Sequence, residues 1–198
     1  MDCAEFCLLL DSRLEEFLSS ERSAHSRRVA DLAEGLCSRE GLDPCRGRAA
    51  GLAHDMCKEM PRKAQRELAA LYSGSHAKGA SSSVLMADKV VHGPAAAGLL
   101  ARDFAVDDPE LLEAIALHTV GRPGMKGLSI ILYCADKLEP GRERQGQGYA
   151  SGSLALPLDA MLRAVVEGVI EWMRRRGRAI APETLILYST LVREADPR

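Results

Sequence analysis

Apolar residues recur along this chain at helical spacing almost throughout. Phe6, Leu10, Leu14 and Phe17 mark an amphipathic packing or lid helix over residues 4–18. Ser23 reads as the N-cap of a helix to about Glu40, with an inward stripe of Val29, Leu32, Ala33 and Leu36. His25 falls on that stripe. Gly41 closes the helix, and Asp43-Pro44 opens the next with proline at its first position. This third segment turns Ala49, Ala50, Ala53, His54 and Cys57 inward, and its small residues predict close helix packing. Pro61 starts a segment with Leu68 and Leu71 apolar. The Gly/Ser-rich stretch 73–83 predicts a mobile loop or gate, with His76 as a solvated histidine.

His92-Gly93-Pro94 opens a helix through Leu99, Leu100 and Phe104. Asp107-Asp108-Pro109 caps another, in which Leu111, Ile115 and His118 share a face. Gly121-Arg122-Pro123-Gly124 is a turn. A helix from Met125 to Leu138 carries Leu128, Ile131, Leu132, Ala135 and Asp136 on one side, and Gly141 to Ser153 reads as loop. The stripe from Leu158 to Trp172 gives a long helix ending at Gly177. Pro182 starts the last one, with Leu185, Tyr188, Leu191 and Val192 inward. With no repeats and no strand ladder, the expected class is all-α: a helical bundle with extra C-terminal helices.

At 198 residues the chain suits one domain, and its 46% apolar and 27% charged residues allow a real core. The net charge of −2 gives no global attraction to nucleic acid or an anionic membrane, so phosphate binding must rest on local cations. Aromatics at 4% argue against stacking along a single strand. Six scattered cysteines without a C-x-x-C pair argue against a zinc ribbon and a disulfide framework, so reduced cytosolic thiols are expected. The N-terminus lacks a signal-peptide pattern and no apolar run is long enough to span a bilayer, which predicts a cytoplasmic protein.

The chemistry gathers around Gly51-Leu52-Ala53-His54-Asp55-Met56-Cys57-Lys58. Read as helix, His54 and Lys58 lie one turn apart and Asp55 and Lys58 are i,i+3 neighbours. His25, His118 and Asp136 each lie on the apolar face of a separate helix, and His54 lies on a small-residue face. One buried histidine per helix is ordinary. A buried aspartate is costlier, and several such groups aimed at one interior need a shared cation. Nitrogen and oxygen donors without thiolate suit iron, manganese, zinc, cobalt or nickel. Arg22, Lys58, Arg122 and Arg142 lie close to these residues in sequence, which suggests an anionic, phosphate-bearing substrate. Arg174-Arg175-Arg176 reads as a solvated helix end.

The series His25, His54-Asp55, His92, His118 and Asp136 resembles the HD-domain metal phosphohydrolase superfamily. Finer features are His54-Asp55-x-x-Lys58, His92-Gly93, Ala114-Ile115-x-x-His118-Thr119-x-Gly121 and Ala135-Asp136-x-x-Glu139-Pro140-x-Arg142. These are similar to the YqeK-type bacterial hydrolases that cleave diadenosine tetraphosphate symmetrically to two ADP. The resemblance runs from about Arg22 to Arg142. It implies an N-terminal packing helix over 1–20, a phosphohydrolase core over 21–145 and C-terminal helices over 154–198, packed as one domain.

The resemblance also implies roles. His25, His54, Asp55 and Asp136 would hold the main metal, iron in that family. His92 and His118 would complete a second metal site, with Asp55 bridging, or contact phosphate directly. Asp55 and Lys58 would be catalytic. Arg22, Lys58, Thr119 and Arg142 would bind the nucleotide phosphates, with His25, His92, His118 and Asp136 also facing substrate. Metal-activated water would attack an inner phosphorus, with ADP as leaving group. The expected partner is a small nucleotide, without nucleic acid or membrane, and a homodimer is left open. Alternatives are an HD-type phosphohydrolase of nucleoside mono- or triphosphates, or a nucleotide sensor without turnover.

Overall fold

Capping chemistry sets the helix boundaries in the computed structural model, which describes residues 1–75, 89–144 and 151–195. Helix α1 spans Cys3–Phe17 and begins with a capping box, in which Asp2 accepts from the Glu5 amide and Glu5 from the Asp2 amide. Helix α2 spans Ser20–Arg39 and starts earlier than the sequence implies. Ser19, not Ser23, is its N-cap. The Ser19 amide and hydroxyl both reach Glu59 instead of the helix, and Ser23 is buried inside the first turns.

Asp43 and Pro44 open α3 (Pro44–Ala53) as predicted, with Asp43 accepting from the Cys45 amide. Helices α4 (Arg62–Ser75), α5 (His92–Asp103), α6 (Pro109–Leu117) and α7 (Gly127–Leu138) follow. Asp108 caps α6 by accepting from the Glu110 and Leu111 amides. A short α8 (Pro140–Arg144), a 3-10 turn (Ser151–Ala155), α9 (Leu158–Arg175) and α10 (Pro182–Ala195) complete the order.

The described residues contain no strand, so the all-α expectation holds. Two expected loops are shorter than predicted. Residues 73–75 continue α4, and 141–144 lie in α8. His76 and the rest of the 73–83 stretch lie outside the described residues. No helix among the described residues is long and apolar enough to cross a membrane.

Four helices form the centre: α2 packs on α3 and α7, α3 on α6 and α7, and α6 on α7. Helix α1 lies on α3 and inserts Phe6, Cys7, Leu10 and Leu14. Each fully buried leucine there contributes about 1.5–3 kcal/mol of apolar burial. Helices α4 and α5 pair with each other, and α9 joins α7 to α10. The last helix is rotated from its expected face. Leu185 and Val192 are exposed, while Leu187 and Thr184 are buried. The Thr184 hydroxyl donates to the Val120 carbonyl at 3.1 Å, so the helix buries 184 and 187, while Tyr188 and Leu191 pack partly buried against the core as expected.

The cysteine expectation is corrected. Cys3 and Cys45 form a disulfide with Cα atoms 6.1 Å apart, a normal separation for such a link. The 42-residue spacing hides a contact made by packing, since α1 on α3 sets their first turns side by side. Cys7, Cys37, Cys57 and Cys134 are buried free thiols, as expected.

The small residues of α3 allow the crossing that matters most. A Cβ on Gly51 would press into the Ala30 backbone of α2, closer than real side chains come. Helix α2 carries His25 and α3 leads into His54, so this approach brings the two rings together. Gly51→Ala forces the helices apart and is expected to cost about 1–3 kcal/mol, as overpacking does. Urea denaturation checks this, with a lowered midpoint at unchanged m-value as the expected result.

Candidate active site

His54 and Asp55 do not lie within a helix. Helix α3 ends at Ala53, and residues 54–60 fold as tight turns through Met56 N–H to Ala53 O, Lys58 N–H to Asp55 O and Met60 N–H to Cys57 O. The reason lies in the side chain. A helix end leaves carbonyls without intrahelical partners. His54 Nδ1–H donates to one of them, the Gly51 carbonyl, at 2.7 Å. His118 repeats this just past α6, where its Nδ1–H donates to the Ile115 carbonyl at 2.7 Å. A carbonyl acceptor requires the proton on Nδ1, so Nε2 of each ring is left bare and faces the interior.

His25 reaches the same place from α2. Its Nδ1–H donates to Glu139 at 3.0 Å, and its Nε2 lies 3.2 Å from Asp136 Oδ1. His92, the first residue of α5, completes a row of imidazoles. Neighbouring ring centroids are 5.3 Å apart for His25–His54, 4.9 Å for His54–His118 and 5.1 Å for His92–His118. Two carboxylates lie along this row. Asp55 Oδ1 is 3.2 Å from His92 Nε2 and 3.6 Å from His118 Nε2. Asp136 Oδ1 is 3.8 Å from His54 Nε2. His54, His92, His118 and Asp55 are at most 3% exposed, and His25 and Asp136 less than a tenth.

Burial would push both carboxyl groups up, but they are held well below the usual range. For Asp55 the nearby His54, His118, His92 and Lys58 outweigh burial. For Asp136, Lys137, Arg142 and His25 do so. Burial drives His54 down to about 3, so this ring stays neutral at ordinary pH. His25 is raised: burial acts against the charge, but Asp136 and Glu139 overcome it.

Cations line the open side. Arg22 Nη1 donates to Asp55 Oδ2 at 3.1 Å, and Arg142 Nη2 to Asp136 Oδ1 at 2.6 Å. Lys58 Nζ is 2.9 Å from His92 Nε2 and 3.6 Å from Asp55 Oδ1. The Thr119 hydroxyl lies 3.2 Å from His92 Nε2 and 3.1 Å from His118 Nε2. Arg22, Lys58 and Arg142 each keep about a third of the side chain exposed. Beside them a cleft of about 250 Å³ is lined by Arg22, Arg28 and Arg142 together with His25, Glu139, Glu59, Glu21 and Ser19. Arg122 is placed differently, paired with Glu113.

Three contributors were given no role from the sequence, although Glu139 stands within a quoted motif. Glu139 is 1% exposed and ties His25 to Arg28, which donates to its carboxylate at 2.5 Å. Its signal was its place in the Asp136-x-x-Glu139 stretch. Lys137 is buried, donating to the His118 carbonyl at 2.5 Å and to Asp136 at 3.1 Å. A lysine after an aspartate carries no such signal. Arg28, three residues after His25, carries no signal in the sequence that sets it apart from other helix arginines.

Nε2 of His25, Nε2 of His54 and Oδ1 of Asp55 are buried and make no hydrogen bond. Leaving such atoms unsatisfied costs about 1–3 kcal/mol each, so their shared aim is the observation a cation explains. The donor atoms of His25, His54 and Asp136 lie within 4.8 Å of one another, as do those of His54, Asp55 and His118. Neutral imidazole and carboxylate oxygen suit a divalent first-row metal.

The chain as a whole is similar to known proteins. A family model described as HD domain matches residues 22–141. The symmetrical bis(5'-nucleosyl)-tetraphosphatase of Bacillus subtilis is 27% identical over 179 residues, covering 90% of this chain and 94% of that one. Its Staphylococcus aureus namesake is 31% identical over 147 residues, covering 71% and 73%. A crystal structure from Clostridium acetobutylicum, described as a predicted HD superfamily hydrolase involved in NAD metabolism, matches with a TM-score of 0.79. It is 28% identical, with 93% of this chain and 96% of that one covered.

Glu139 is pulled down to about 2 from its ordinary 4.5, against burial, by His25, Arg28 and the Gly141 amide. A lowered folded value means stability present above the unfolded value and lost on acidification. With a chelator present, wild type is expected to exceed Glu139→Gln by on the order of 1–3 kcal/mol above pH 4.5. The gap closes as pH falls toward 2. A pH series of urea melts measures it, and a gap that stays constant with pH would contradict the assignment.

Proposed function

The chain belongs to the HD-domain family, and on that premise we propose that it hydrolyses diadenosine tetraphosphate and related dinucleoside polyphosphates symmetrically to two ADP. One observation carries the reading. Bare imidazole nitrogens and ionised carboxylate oxygens converge below a rim of partly exposed cations. Buried donors suit a metal, and rim cations suit a polyphosphate. The names of the relatives supply the nucleotide.

His25, His54, Asp55 and Asp136 would hold a divalent cation, for which iron is our first choice. His92 and His118 would hold a second ion or meet a phosphoryl oxygen directly, with the Asp55 carboxylate between the two groups, Oδ2 toward His54 and Oδ1 toward His92 and His118. The cation supplies Lewis acidity at a phosphoryl oxygen and makes a water more acidic. The chain's own residues do the rest. His54 and His118, fixed through Nδ1, present Nε2 without a search among ring orientations. Glu139 holds His25 in the same way, as a carboxylate behind a ligand imidazole does.

Lys58 and Arg22 lie against Asp55, and Arg142 against Asp136, so a bound polyphosphate meets positive charge beside the reacting phosphorus. There they offset charge that develops on the phosphoryl oxygens, and Thr119 offers a hydroxyl. ADP is a good leaving group and needs no strong general acid from the protein. Residues 21–145 would form this catalytic unit, with α1 and the C-terminal helices packed on it.

Anion-exchange analysis of the products, with iron or manganese under reducing conditions, tests the substrate geometry. ADP as sole product is expected. ATP plus AMP would overturn symmetric cleavage while leaving the site intact. His54→Ala and Asp55→Ala are each expected to abolish metal retention, read by elemental analysis, together with turnover. Full activity in either variant would sink the site assignment.

A further inference from the structure

A second group of donor atoms shares no residue with the imidazole row. Cys3 is the first residue of α1, Cys7 lies one turn further along it, and Cys45 is the second residue of α3. The three sulfurs all lie within 4.8 Å of one another. Cys3 and Cys45 form the disulfide. Cys7 takes no part in it, yet its Sγ sits 3.7 Å from Cys45 Sγ and 3.5 Å from the Cys45 carbonyl oxygen. A disulfide needs two sulfurs, and the third here is 4% exposed and aimed at the other two.

The distances suit an ion. Two thiolates on one tetrahedral zinc, each about 2.3 Å from it, stand about 3.8 Å apart. Cys7 and Cys45 already have that separation. The remaining ligand is Cys3, a half-buried side chain on a helix's first residue, so only a terminal side chain must swing once the disulfide opens. The surrounding charge points the same way. Cys7 feels Glu34 and Asp43 against Arg48, and burial with the two carboxylates discourages a free thiolate. A thiolate bound to a cation meets no such penalty.

We propose that the reduced chain binds one thiophilic d10 cation of the zinc class at Cys3, Cys7 and Cys45, and that the Cys3–Cys45 disulfide is the form that excludes it. Opening the disulfide breaks the S–S bond and takes two electrons from a reductant: a dithiol, which is oxidised to its own disulfide and supplies the two protons, or a phosphine, which is oxidised to its oxide while water supplies the oxygen and both protons. Binding then forms three metal–sulfur bonds and releases three thiol protons to solvent. Solvent supplies a fourth ligand at the half-buried edge.

Cadmium is the probe, because its ultraviolet thiolate-to-metal charge-transfer band is silent to imidazole and carboxylate ligands. The full chain is reduced with a phosphine, desalted without air and titrated with cadmium. One equivalent per chain should raise the band, and prior loading with zinc should raise the cadmium concentration needed to reach it. Cys7→Ser should weaken binding at least about tenfold, since losing even a partner behind a ligand costs that much. Cys3→Ser, at the chain's edge, should do the same with the helical circular dichroism unchanged. The oxidised chain should give no band. A reduced chain without the band, a band untouched by Cys7→Ser and Cys3→Ser, or the same band in the oxidised chain would each overturn the proposal. Nucleotide hydrolysis is read separately, so either proposal can fail without the other.

Discussion

The structure turns on how four imidazoles and two carboxylates are kept within one helical interior. Either ionised aspartate alone would be driven to neutrality by burial, at a cost of several kcal/mol. Here each has cations within reach. Arg22 and Lys58 meet Asp55, while Lys137 and Arg142 meet Asp136. The bundle is arranged to permit this. Small residues on α3 bring α2 close, α6 and α7 close the group, and α5 contributes its first residue. Loosening any of these contacts would separate donors whose proximity keeps the others charged.

The histidines are held by a plain backbone rule. Helix ends leave carbonyls unpaired, and at α3 and α6 a ring nitrogen of the next residue satisfies one. That bond fixes the tautomer and aims the other nitrogen, so termination of the helix and orientation of the donor are one event. His25, mid-helix, has no such carbonyl. It uses Glu139, itself anchored by Arg28 and the Gly141 amide.

Much of this was legible in the sequence. Period and capping residues gave the helices, with Asp43-Pro44 and Asp108-Pro109 read correctly because their chemistry is local. Every histidine and aspartate of the cluster was picked out, since polar residues on apolar faces are conspicuous. What stayed hidden depended on other segments. The cap of α2 moved to Ser19 because Glu59, forty residues away, engages it. The face of α10 followed from a bond to Val120. The Cys3–Cys45 link needed α1 to lie on α3. Lys137 carried no signal in the sequence until the fold enclosed it, and Arg122 looked like a site cation until Glu113 claimed it.

The two ring-to-carbonyl bonds also make length a functional quantity for α3 and α6. Each helix must stop where its histidine becomes the capping residue. One more turn would give that carbonyl an amide partner and free the ring to rotate. The length of each helix is therefore set at its C-terminal end, where the histidine caps it, while Asp43 and Asp108 cap the N-terminal ends and only begin the count. The chain measures its helices from the histidine backwards.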